Sequence, residues 1–134
     1  QMCIRDRAWT VAKKSNLDLE KTFKGIAISS GNSFVHETES QVILNGSYNI
    51  NFTMDLVLKD TSLFDNLAKK LNSSLEISPM IVKIFQEGLK NYGPRAWSSM
   101  IVKRMEDKNK IDFRAKGFPN ELIDKEPEKK GYEI

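Results

Sequence analysis

Lys59 and Asp60 form a charged pair in the middle of an apolar stretch that covers residues 52–72. The apolar residues of this stretch recur at helical spacing on one face, which is typical of a helix packed into a core. They are Phe52, Leu56, Val57, Leu63, Phe64, Leu67, Ala68 and Leu71. Because successive helical residues are rotated by about 100°, Asp60 projects near the centre of this face and Lys59 lies at its edge.

Two interpretations of this pair are open. An ionised carboxylate that is buried without a partner is energetically costly, so Asp60 requires a hydrogen-bonded partner or a wet cleft beside it. The first interpretation is an internal ion pair or a water-filled seam. The second is a helix whose charged pair lines a ligand pocket between two domains.

Other patterns that carry chemistry are missing from the sequence. His36 is the single histidine and no cysteine lies near it, so neither a zinc site nor any other metal site is expected. There is no serine-centred nucleophile elbow and no Walker-type loop. The G-x-G-x-x-G fingerprint of a dinucleotide-binding fold is also absent. The residues alone therefore predict a helical domain without a complete catalytic site.

Two helices and a turn are predicted before the third helix. Residues 8–14 are good helix formers, and a second helix follows Asp18, a residue type that favours the N-cap position. The turn at residues 29–33 is built from Ser30, Gly31 and their polar neighbours. Gly31 is expected to be free to take a positive φ there.

The third helix is predicted to run from Phe34 to a stop at Asn45-Gly46. Residues 47–51 are then expected to be an extended lead-in to the central helix. After it, Pro79 marks the first turn of another helix, and a last helix carries Trp97. The fold class is therefore predicted to be all-α, a bundle of about five to six helices.

The chain divides into three regions by composition. Residues 1–7, QMCIRDR, resemble translated sequencing-adapter read-through, which predicts that the native chain enters at about Ala8; the alternative is a short N-terminus that extends the first helix. Residues 8–110 form the helical domain. Residues 111–134 form a charged, proline-containing tail, anchored at Phe118 and Tyr132 and otherwise mobile.

Composition indicates an ordinary globular protein. The 134 residues are 40% hydrophobic and 29% charged, with a net charge of +3, which suits one domain with a real core. Basic residues alternate with acidic ones, so no nucleic-acid partner is expected. No apolar run approaches a membrane span, and a single cysteine suits a reducing cytoplasm.

Several short motifs together resemble the C-terminal domain of the β-hydroxyacid dehydrogenases, the family that includes 3-hydroxyisobutyrate dehydrogenase. The resemblance covers about residues 8–106, and its most specific motif is F-x₃-L-x₂-KD. The matching residues are Asn16-Leu17-Asp18, Ser30-Gly31-Asn32-Ser33-Phe34, Phe52 with Leu56, Leu58, Lys59 and Asp60, Ile77-Ser78-Pro79, and Tyr92-Gly93.

The resemblance implies a two-domain enzyme in which a Rossmann domain, missing here, binds NAD or NADP and the helical domain closes over the cleft. It implies that Lys59 contacts the cofactor and that Asp60 holds the helix or pocket wall in register. Phe52 is expected near the substrate end of the cleft, with the turn of Ser30 and Gly31 close to it. Core packing is an equally good interpretation of Phe52.

The implied reaction is reversible hydride transfer between nicotinamide and the carbinol carbon of a small hydroxy acid. The family's catalytic lysine, a general acid/base, would lie upstream of residue 1, so no catalytic residue is assigned within the chain. Lys13 and Lys14 do not take that role. The chain alone is therefore expected to be inactive.

Two other classes remain open. One is a stand-alone helical interaction module, in which the apolar stripe of residues 52–72 pairs with another subunit and Asp60 sets the register. The other is an imine-reducing relative with the same architecture and a different proton donor. The resemblance also implies a homo-oligomer, either a dimer or a tetramer.

Overall fold

The computed structural model of the protein describes residues 2–122 and residue 131. These residues form α-helices and one 3₁₀ helix, with no β-strand among them, so the predicted all-α fold is confirmed. The α-helices are α1 (Met2–Lys14), α2 (Leu19–Ala27), α3 (Phe34–Glu37), α4 (Glu39–Asn45), α5 (Met54–Lys70), α6 (Ser78–Tyr92) and α7 (Lys103–Asn109). The 3₁₀ helix, Ser98–Val102, leads directly into α7.

Side-chain caps explain where the early helices begin. The Asp18 carboxylate accepts a hydrogen bond from the Lys21 backbone N–H at 2.9 Å, which starts α2 as predicted. The Ser33 hydroxyl accepts from the His36 backbone N–H at 3.1 Å and starts α3. Gly31, in the turn between them, does not have a positive φ, so that prediction is wrong.

The predicted third helix is divided at Thr38. This residue has φ −99° and ψ −76° and serves as both the last cap of α3 and the first cap of α4. Its hydroxyl donates a hydrogen bond to the Phe34 carbonyl at 2.7 Å, a local bond that competes with helix continuation. Gly46 ends α4 with φ 97°, as expected of a left-handed C-cap.

The core lies where α1, α4 and α6 converge on the 3₁₀ helix. Nearly every element contributes apolar side chains to it, so the described residues share one hydrophobic core. Its buried members are Trp9, Ala12, Leu19, Ile43, Leu44, Tyr48, Met54, Phe85, Ile101, Val102 and Phe113.

The central helix α5 buries only part of the apolar stripe that was predicted to face the core. Met54, Asp65 and Ala68 are its buried residues. Ala68 of the predicted stripe is buried and Val57 packs against the core, whereas Leu63, Phe64, Leu67 and Leu71 are 55–66% exposed. The rest of the prediction was wrong because α5 carries apolar residues on more than one side, and it packs against α6 and the 3₁₀ helix with the side that holds Met54, Leu58 and Ala68.

The segment after α7 packs on the helical domain. Phe113 is fully buried, and the Ala115 backbone N–H donates to the Leu44 carbonyl at 3.0 Å. The Phe118 ring meets the Phe23 ring edge-on at 5.1 Å between centroids. Phe118 therefore anchors this segment as predicted, whereas Tyr132 lies outside the described residues.

Candidate functional site

The Lys59–Asp60 pair lies on the surface of α5. The Lys59 Nζ and an Asp60 carboxylate oxygen are 3.0 Å apart, and the side chains are 60% and 56% exposed. The internal ion pair considered from the sequence is therefore wrong, because the outward face that carries Asp60 is not covered by the rest of the domain. An exposed pair of this kind contributes only about 0–1 kcal/mol to stability. Both charged groups are available to a ligand or to another protein surface.

An open groove of about 730 Å³ borders Asp60 between α5, the α5–α6 loop and the first turn of α6. Its walls are mainly apolar, and the carboxylates of Asp60 and Glu76 also line it. The lining residues are Asp60, Thr61, Phe64, Ser74, Leu75, Glu76, Ile77, Ser78 and Ile81. Phe64 was predicted to lie in the core, and neither Glu76 nor Ile77 was predicted to line a site.

Asp65 is a buried carboxylate of α5 that lies near the first residue of α6. Its carboxylate lies 2.6 Å from the Lys69 Nζ. The hydrogen bond from Lys69 lowers the pKa of Asp65, and a hydrogen bond from Ser78 acts in the same direction. Ser78 is the first residue of α6, so this carboxylate joins the wall of the groove to the helix that carries Lys59 and Asp60.

Backbone contacts fix the N-terminal end of α5. Thr53 and Trp97 form an isolated antiparallel bridge, in which the Ser98 N–H donates to the Phe52 carbonyl and the Met54 N–H donates to the Ala96 carbonyl, both at 2.8 Å. The Thr53 hydroxyl donates to the Asp55 carboxylate, and this bond lowers the pKa of Asp55. The start of the helix is therefore tied to the segment before the 3₁₀ helix.

The remaining predicted site residues lie in two other places. Phe52 is 37% exposed at the N-terminal end of α5, on the bridged segment. Ser30 and Gly31 lie in the exposed turn before α3, where the Arg5 guanidinium donates to the Gly31 carbonyl. No hydrogen bond or ion pair among the described residues links this turn to Lys59 or Asp60, so their shared role in one cleft stays a prediction.

His36 has a packing role, the commoner role for a lone histidine. Its ring stacks on Phe23 at 4.6 Å and on Trp9 at 5.9 Å between centroids, and it is fully buried. Its Nε2 donates to the Phe23 carbonyl oxygen at 2.9 Å. Burial lowers the pKa of His36, because the interior favours the neutral ring.

Within residues 2–122 and residue 131, no group of three or more His, Cys, Asp and Glu side chains could hold a metal ion. In the same part of the chain, no helix is both long and apolar enough to cross a membrane.

Comparisons with known proteins show a family match and a similarity to solved structures. The family described as NAD-binding of NADP-dependent 3-hydroxyisobutyrate dehydrogenase matches residues 1–105. The fold is similar to that of 3-hydroxyisobutyrate dehydrogenase from Salmonella typhimurium, with a TM-score of 0.68 and 22% identity over 77% of this chain. The match spans 36% of that enzyme's chain, so the present chain corresponds to about a third of its length. No curated protein matches the chain.

The helical fold and the family match together show that this chain is a helical domain of the kind found in NAD-binding dehydrogenases. The chain belongs to the β-hydroxyacid dehydrogenase family and is 3-hydroxyisobutyrate dehydrogenase-like.

Proposed function

We propose that the chain is the C-terminal part of an NAD(P)-dependent oxidoreductase that acts on a small 3-hydroxy acid. In this proposal the helical domain forms one wall of the cofactor and substrate cleft. The single observation that carries the proposal is the position of Lys59, whose ammonium is exposed on the outward face of α5 in a chain that matches this dehydrogenase family. A buried lysine would not be available to a cofactor.

The residues of this chain could contact only one side of a bound dinucleotide. The exposed Lys59 ammonium can donate hydrogen bonds to an anionic or carbonyl group of the cofactor. The sequence holds no glycine-rich turn for a pyrophosphate, so the main binding surface belongs to a partner Rossmann domain. The nicotinamide ring, when bound, supplies or accepts the hydride.

The other site residues support Lys59 in this proposal. The Asp60 carboxylate lies 3.0 Å from the Lys59 ammonium and attracts its positive charge. Phe52, just before α5, lines the substrate end of the cleft in this proposal, and the turn of Ser30 and Gly31 lies near it. The general acid/base is supplied from outside the chain, so the chain alone does not turn over substrate.

An interaction module without catalysis is the second candidate. The observation that favours it is the exposed apolar face of α5, since large exposed patches mark interaction sites. Under either proposed function, the exposed apolar face of α5 would also contribute contacts between subunits. Cofactor binding by the complete protein separates the two.

The test uses the complete protein, in which the proposal joins this helical domain to a Rossmann domain. Lys59→Ala is expected to raise the dissociation constant of the cofactor about tenfold, the loss of about 1.4 kcal/mol typical of one charge-assisted hydrogen bond. Lys59→Arg is expected to keep most of the affinity. Lys21→Ala, at an exposed lysine of α2, is the matched control and should change nothing. Unchanged affinity in Lys59→Ala would remove Lys59 from the site and with it this proposal.

A further inference from the structure

The lead-in segment, residues 47–53 between α4 and α5, takes a backbone conformation that its residue types do not favour. Tyr48 has φ 55° and Asn51 has φ 56°, both in the left-handed region. Asparagine tolerates that region, but for a bulky residue such as tyrosine it is a genuine outlier. Such conformations persist only where the surrounding structure holds them, and they cluster at functional sites.

Hydrogen bonds from three elements hold the lead-in segment at Tyr48. The Ser99 hydroxyl of the 3₁₀ helix donates to the Tyr48 carbonyl at 2.5 Å, and both residues are buried. The Tyr48 hydroxyl donates to the Glu106 carboxylate of α7, and the Arg114 guanidinium donates to that hydroxyl at 2.9 Å. The guanidinium carbon also lies 5.2 Å from the centre of the Tyr48 ring, within the range of a cation–π contact. These contacts offset the strain at Tyr48.

The other end of the lead-in segment is held by the same part of the chain. The Ser98 N–H donates to the Phe52 carbonyl, and the Met54 N–H donates to the Ala96 carbonyl, both at 2.8 Å. Only residues 49–51 lie between Tyr48 and Phe52, so the backbone has little length in which to absorb a change at Tyr48. The position of Phe52 therefore depends on how Tyr48 is held.

Two of the residues that hold Tyr48 lie beyond the family match. The match ends at residue 105, whereas Glu106 and Arg114 follow it. The Glu106 carboxylate is itself held in place, because it accepts hydrogen bonds from the Phe113 N–H at 2.7 Å and from Arg114 at 2.9 Å. The segment after α7 thus helps to set the conformation of the lead-in segment at the start of α5.

We propose that Tyr48 is a positioning residue, whose hydroxyl and carbonyl hold the lead-in segment so that Phe52 lies at the substrate end of the cleft. This inference rests on the proposed function, because it uses the place given there to Phe52. Tyr48 is buried, so it acts through the backbone that joins it to Phe52. A side chain that contacts the substrate equally before and during the reaction changes KM and leaves kcat unchanged.

Tyr48→Phe in the complete protein tests the proposal, because it removes the hydroxyl and keeps the ring. Hydrogen exchange of the Met54 and Ser98 amides is expected to become at least about fivefold faster, since the lead-in segment is then held less tightly. With 3-hydroxyisobutyrate as the probe substrate and NADP as the cofactor, KM for the acid is expected to rise at least about fivefold. The value of kcat and the dissociation constant of NADP are expected to stay within about twofold of the wild type.

Ser99→Ala is the second test variant, and it is expected to shift exchange and KM in the same direction. Tyr92→Phe is the matched control, because the Tyr92 hydroxyl donates to Asp107, the carboxylate that follows Glu106 in α7, at 2.8 Å from outside the lead-in segment. It is expected to change neither the exchange of the two amides nor KM.

The two measurements separate the possible failures. Exchange that stays at the wild-type rate in both Tyr48→Phe and Ser99→Ala would overturn the proposal, whatever the substrate. Faster exchange with an unchanged KM, or an equal rise of KM in Tyr92→Phe, would show that Tyr48 has only a structural role. A wild type that neither binds NADP nor oxidises the acid would overturn the proposed function and with it the substrate role of Tyr48, and the exchange measurement does not depend on that result.

Discussion

The Tyr48 hydroxyl donates a hydrogen bond to the buried Glu106 carboxylate, joining residues 58 positions apart in the sequence. Glu106 also accepts from the Phe113 backbone N–H at 2.7 Å and from the Arg114 guanidinium at 2.9 Å. Burial, together with the bond to Glu106, raises the pKa of Tyr48, so its hydroxyl remains a donor at physiological pH. This cluster ties the start of the C-terminal segment to the domain that carries α5.

Glu106→Gln is expected to lower the free energy of unfolding by about 2–4 kcal/mol, because it leaves the Arg114 charge without its carboxylate partner. Chemical denaturation at pH 7 measures the loss. Glu20→Gln, which removes an exposed carboxylate paired with Lys24, is the control and should cost less than about 1 kcal/mol. Equal effects of the two substitutions would show that the cluster around Glu106 does not stabilise the fold.

His36 is expected to make stability fall in acid. Its pKa is lowered by burial in the folded state, so the unfolded chain binds the proton more readily. The contribution of neutral His36 is therefore fully present above about pH 6.5, the unfolded value, and is lost as the pH falls through the lower folded value.

The measurement is the difference in unfolding free energy between the wild type and His36→Gln from pH 8 to pH 4. Buried Asp6, whose pKa is raised to about 6, adds a contribution of opposite sign: its stabilisation is present at low pH and lost as the pH rises through that value. Both proteins share Asp6, so its contribution cancels in the difference. A difference that does not change with pH would contradict the assignment to His36.

Gly46→Ala is expected to destabilise the protein for two separable reasons. Gly46 has φ 97°, and an added Cβ would lie 2.5 Å from the Arg114 Nε. Gly117 has φ 83° with nothing within 4 Å of the added Cβ, so Gly117→Ala reports backbone strain alone. Backbone strain is expected to lower the free energy of unfolding by about 1 kcal/mol in each variant. Because the new methyl group of Gly46→Ala must also displace Arg114, this variant is expected to have the lower melting temperature of the two.

Local patterns in the sequence predicted the helices well and their burial less well. Asp18 before α2, Gly46 after α4 and Pro79 at the start of α6 act through local bonds or local backbone geometry, so the sequence alone located them. The break at Thr38 was not predicted, because the helical pattern of apolar residues continues through it. The helix is divided there by the hydrogen bond from the Thr38 hydroxyl to the Phe34 carbonyl, which competes with the backbone hydrogen bonds of a continuous helix.

The amino-acid sequence by itself determined that the chain is helical, that its central helix carries Lys59 and Asp60 on an apolar stripe, and which family it resembles. Only the tertiary structure decided which side of that helix is buried. An amphipathic pattern specifies that a stripe needs a partner, but α5 carries apolar residues on more than one side, and the partner chosen by the fold is α6 together with the 3₁₀ helix. The consequence is that the pair and its leucines lie outside, where another surface can reach them.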